Sequence, residues 1–264
     1  MMLYSHKEMQ MSEPEYNKSL TPAGVDPNWK NIYRIGGLAA VLILLTSLAE
    51  ILITFLPGGY IAPLSVTDWF ALFHNNWFLG LRNLGLLNIV MTTLEIPMLF
   101  AIYAAHRNAF APYATLALIV AFLGIATFYA TNRAFPMLDL SARYASASTA
   151  EQRATIAAAG EAMLAVGRSH SPGTFLAFFL IESGAILLSV VMLLGNIFSK
   201  PTAYFGIVSC GLLLLFDICV SFVPSLAGAM LIVAMLGGIS AMVWYFLVAR
   251  RLLQIASSLN AGGR

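Results

Sequence analysis

Charge is what this sequence has least of. Lys, Arg, Asp and Glu make up 10% of its 264 residues, where soluble domains carry about 25%. Hydrophobic residues make up 59%, and mean hydropathy is +0.82. So few polar groups cannot cover a globular surface. That excludes an ordinary soluble domain and points to an all-α, polytopic transmembrane helix bundle. Net charge is only +2 and the basic residues are scattered, which argues against a nucleic-acid partner. Cysteine is nearly missing. Cys210 and Cys219 share one apolar run, about 13 Å apart along a helix axis, too far for a mutual disulfide. They read as small packing residues. Histidine is confined to His6, His74, His106 and His170, with no HxxxH, HExxH or CxxC spacing. The glycine-rich nucleotide signatures and the G-x-S-x-G nucleophile motif are absent, and no catalytic triad assembles from the spacing.

What is present is a series of long apolar runs. Residues 1–34 are polar, broken by Pro14, Pro22 and Pro27, and read as a tail. That tail ends in an interfacial belt of Trp29, Lys30, Tyr33 and Arg34. Residues 35–251 form the bundle, with six spans expected at about 35–56, 83–105, 113–135, 172–197, 202–222 and 226–249, each long enough for a hydrocarbon core of about 30 Å. Residues 252–264 read as a second short tail. Two long connections are each expected to hold one interfacial helix. In the first, DWFALFHNNWFLG spaces Trp69, Phe73 and Trp77 four apart, on one helical face. In the second, Ser148 and Thr149 stand at capping-box spacing from Glu151 and Gln152. They open AEQRATIAAAGEAMLAVG, whose apolar stripe is Ile156, Ala159, Met163 and Val166.

Nine of the 14 Lys and Arg residues fall in the two tails, in the short turns near Arg107 and Lys200, or at Arg250 and Arg251 just after the last span. Five fall on the opposite side. The positive-inside rule therefore puts both termini in the cytoplasm and both long connections outside. His106, beside Arg107, is expected at the cytoplasmic interface.

Four spans carry one carboxylate each: Glu50, Glu95, Glu182 and Asp217. Ionisable groups in hydrocarbon are costly and mark functional sites by default. On the expected topology all four lie at mid-depth or in the outer half, so a single polar cavity opening outward would accommodate them together. His74, Arg82, Arg133 and His170 would stand at its mouth. The plainer account makes each acid a protonated packing group bonded to its neighbouring helix. Imidazole and carboxylate could hold a divalent metal, but without a ligand motif no cofactor is expected. In the last span Ala234, Gly237, Gly238 and Ala241 form a small-residue face suited to close helix approach. It is a candidate contact for a partner membrane protein or a second copy, with membrane lipids as the remaining partners.

From Asn83 to Arg251 the chain resembles an uncharacterised family of bacterial six-helix integral membrane proteins, a domain of unknown function. LGLLNIVMTTLEIPMLFAIYAAHR, AEQRATIAAAGEAMLAVG and MVWYFLVARRLLQ carry the likeness. It implies a bacterial inner-membrane protein and no particular activity. The leading expectation is a membrane-embedded binding or accessory protein for a lipid, a small apolar ligand or a partner complex. A secondary transporter using the buried carboxylates is the alternative, supported by the outline of an inverted repeat. An intramembrane lipid-processing enzyme comes third.

Overall fold

The computed structural model describes residues 25–55, 65–167 and 169–261, and every regular element among them is helical. The elements are α1 (Lys30–Phe55), α2 (Val66–Asn75), α3 (Trp77–Asn83), α4 (Leu86–Thr131), α5 (Ala134–Ser146), α6 (Ala150–Ala165), α7 (Phe175–Gly195), α8 (Lys200–Phe222) and α9 (Ala227–Ala261). Five of them, α1, α4, α7, α8 and α9, are long and apolar enough to cross a membrane. Their outward faces are apolar, with Leu52, Leu123, Ile232 and Ile239 among the exposed side chains. This arrangement suits lipid rather than water as the surrounding solvent.

α4 is two of the expected spans without a loop between them. Its backbone leaves helical geometry at Phe110 (φ −131°, ψ 34°), two residues before Pro112. The break reverses the chain. Thr93 and Tyr129 share a 2.7 Å hydrogen bond between their hydroxyls, whereas 36 residues of straight helix would put them about 54 Å apart. Residues 86–109 and 111–131 are therefore antiparallel arms of a hairpin.

The long helices close a ring: α1 packs on α4, α4 on α7, α7 on α8, α8 on α9, and α9 back on α1. Glycine lets the α4–α7 pair come close. A Cβ on Gly124 would stand 2.6 Å from the Ile181 amide nitrogen, and one on Gly184 would stand 2.5 Å from that of Ala121.

One end of the ring gathers the basic turns. Arg107 pairs with Asp26 and lies over the Trp29 ring at 4.2 Å. The Tyr33 hydroxyl donates to the Ala104 carbonyl. His106 is fully buried, stacked on Phe198 with its Nδ1 at the Ile102 carbonyl. At the other end α2, α3, α5 and α6 form a cap with its own core around Trp69, Phe70, Phe73 and Met137. Ser65 and Asp68 make a capping box at α2, and Thr149 and Gln152 make one at α6.

Several expectations need correction. α1 begins five residues early, so Lys30, Tyr33 and Arg34 lie within the helix, and Tyr33 is fully buried. His106 is a core residue rather than an interfacial one. The third span stops at Thr131, because Asn132 turns extended and its side chain accepts from the Ala134 amide to start α5. α9 runs on to Ala261 through the expected tail, since Leu252, Ile255 and Ala256 are buried against the bundle. Trp69 and Phe73 face the cap core, but Asn76 interrupts the helix and Trp77 is exposed. Gly160, rather than Ala159, is the buried position of α6. Residues 1–24, which include His6, and Arg168 lie outside the described residues.

Candidate functional site

The acids sort into two neighbourhoods instead of one cavity. Glu95, on the first arm of α4, accepts a 3.0 Å hydrogen bond from the Tyr245 hydroxyl of α9. Glu182 of α7 lines the same cavity as Cys210 of α8 and lies within electrostatic range of Glu95 and Asp217. Glu95, Glu182, Cys210 and Tyr245 line one small cavity of about 20 Å³, room for about one water.

Asp217, one turn before the cap end of α8, is fully buried. Its Oδ1 is paired with His170 Nδ1, while its Oδ2 is buried without a hydrogen-bond partner. His170 sits in the left-handed region (φ 60°), a conformation that a non-glycine residue holds only when its surroundings over-determine it. Here they do: the ring stacks on Phe178 at 4.3 Å and meets the edge of Phe216 at 5.2 Å. Glu182 thus stands between two acid pairs, in a line that leads inward from the cap end.

Glu50 belongs elsewhere. It faces Arg82 at 3.8 Å, and Arg82, almost wholly buried, also donates to Thr54 (3.4 Å) and Asn83 (3.3 Å). These residues line a pocket of about 250 Å³ between cap and bundle, with Asn88, Asn132, Arg133 and Ser169 completing its polar wall. Trp69 and Phe128 supply apolar surface. Arg133 donates to the Leu164 carbonyl (3.0 Å), tying the start of α5 to the end of α6. The pocket lies at the cap-side ends of the long helices.

Of the four residues expected at a cavity mouth, Arg82 and Arg133 line this pocket. His170 is turned to Asp217, and His74 is exposed on the cap. Among the described residues no three His, Cys, Asp or Glu side chains come together to hold a metal ion. The sequence reading missed Tyr245 and Cys210 beside the acids. Tyr245, a hydroxyl within an apolar span, was the signal available. In the last span Gly237 and Ala241 are buried, with Leu212 and Leu213 of α8 against Gly237, while Gly238 faces open space. The chain has no match among protein-family models, curated proteins or solved structures.

Proposed function

We propose that this chain is a membrane-embedded binding protein that holds the polar head of a lipid in the pocket between cap and bundle. The observation that carries this reading is the pocket itself. About 250 Å³ at the cap-side ends of the long helices, which this reading puts at headgroup depth, is lined by two guanidinium groups, one carboxylate and several amides. Arginine favours phosphate oxygens, and Glu50 offers a counter-charge for an amine, so the lining suits a zwitterionic phospholipid head. In this reading the five long helices cross six times, because the α4 hairpin crosses twice. Both termini are cytoplasmic, and the membrane is a bacterial inner membrane, as the family resemblance implies.

The transporter reading draws support from the line of His170, Asp217, Glu182 and Glu95, yet the cavity at its inner end admits a proton or a water rather than a substrate. An enzyme acting on lipid would need the His170–Asp217 pair to face the headgroup pocket. It does not line that pocket.

Mass spectrometry of lipids that stay with the purified protein tests the proposal. One zwitterionic phospholipid per wild-type chain is expected, with at least a fivefold loss of that lipid in Asn88→Leu and in Arg82→Gln. Unchanged retention in both variants rejects the headgroup site.

A further inference from the structure

We infer a second binding site at the opposite, basic end, where the α7–α8 turn meets α9: a site for the phosphate of a membrane phospholipid in that leaflet. A pocket of about 350 Å³ opens there. Ser199, Thr202, Arg250, Arg251 and Gln254 supply its polar lining, and Phe198 and Leu247 its apolar floor. No carboxylate lines it. The acid described at this end of the ring, Asp26, is committed to Arg107.

The local chain geometry builds the site. Asn196 ends α7 in the left-handed region (φ 55°), which turns the chain sharply and starts α8 at Lys200 alongside α9. Ser199 caps α8 and accepts from the Thr202 amide. The Arg251 Nε donates to the Ile197 carbonyl at 2.7 Å. That bond holds the guanidinium plane against the turn, with its two terminal nitrogens beyond the bonded edge. Arg250 brings a second positive charge from the next position of α9. Two guanidiniums, one hydroxyl of the mutually bonded Ser199–Thr202 pair and a carboxamide are able to donate to one anionic group, and charge-assisted bonds of this kind are the strong ones.

The floor decides between a free anion and a lipid. Phe198 and Leu247 give the pocket an apolar base, and the exposed Leu194 and Tyr204 continue apolar surface along α7 and α8 into the span. A phosphodiester with acyl chains satisfies both halves. Inorganic phosphate satisfies only the first. Basic pockets between spans at the cytoplasmic side are suited to anionic headgroups.

The test uses the full chain in nanodiscs containing phosphatidylglycerol and a neutral, phosphate-free glycolipid, with retained lipids counted by native mass spectrometry. Arg250→Gln removes one positive charge and Gln254→Glu adds one negative charge, and both leave the Arg251 side chain that bonds Ile197 in place. Each is expected to lower phosphatidylglycerol retention about fivefold, at about 1 kcal/mol per charge near the surface. Retention unchanged in both variants, or equal retention of the glycolipid, overturns the site. Excess inorganic phosphate should leave the lipid in place. If it empties the pocket and binds equally well alone, the lipid assignment falls and a free-anion site replaces it. Asn88→Leu, in the cap pocket, is expected to leave this signal unchanged, so failure of one site is distinguishable from failure of the other.

Discussion

At the scale of single residues, the His170–Asp217 pair shows how strain and burial offset one another. The left-handed backbone at His170 costs on the order of 1–3 kcal/mol. It persists because the ring fills a slot between Phe178 and Phe216 and supplies the only described hydrogen bond to a fully buried carboxylate. Removing the imidazole would leave Asp217 buried alone, a loss of about 3 kcal/mol. His170→Gly is the suitable variant, since glycine accepts the backbone angle. Its apparent Tm in detergent should fall well below wild type. The double variant His170→Gly, Asp217→Leu should recover most of that loss, because it removes the stranded carboxylate as well. A double variant no more stable than the single one would show that ring packing, rather than the bond to Asp217, holds this corner.

At the scale of elements, the two glycine-lined seams differ in kind. Gly184 lies where α4 and α7 approach backbone to backbone, so Gly184→Val must push the helices apart. The expected cost is about 3 kcal/mol or more, at or above the usual overpacking range. Gly238 has nothing near an added Cβ, and Gly238→Val should leave the unfolding midpoint within about 0.5 kcal/mol of wild type. Equal effects of the two substitutions would contradict the packing described for α7. The sequence alone singled out the α9 glycines, since two adjacent small residues stand out in an apolar run. It passed over Gly124 and Gly184, because their importance depends on which faces meet. The same reason explains the acids. Their number, their spans and their position toward the cap end were legible, because depth follows from counting residues along a helix. Their grouping was not, because it depends on rotation about each axis: Glu95 finds Tyr245 across 150 positions of chain. The reversal at Phe110 agrees with the short turn that the sequence implies between the spans at 83–105 and 113–135, but the helix continues almost unbroken through it. α5 was hidden because the apolar Ala134 and Phe135 read on from the third span.

At the scale of the whole molecule, a ring of spans carries a folded cap at one end and a basic rim at the other. The hairpin reading makes a sharp topological statement. His74 on α2 and Ala109 at the hairpin turn are both exposed, and an odd number of crossings separates each of them from the other's side. Single cysteines at these positions, introduced after replacing Cys210 and Cys219, should react with a membrane-impermeant maleimide from opposite sides of sealed vesicles. Labelling from the same side would remove the hairpin crossing and with it the six-span count.

The contacts at the basic rim also set a clock. Asp26 meets Arg107 across 81 positions, and Tyr33 meets Ala104 across 71. At about 5–20 residues per second of synthesis, Tyr33 of α1 waits about 4–14 seconds before its partner Ala104 near the hairpin turn exists. Until then the partners of α1 are those made earlier in the chain, with Arg82 the first to reach Glu50 and Thr54. The ring itself can shut only when α9 arrives to meet α1, so the last helix made becomes the keystone for the first. A nascent chain stalled before α9 would present an open-sided bundle to the membrane's quality-control proteases.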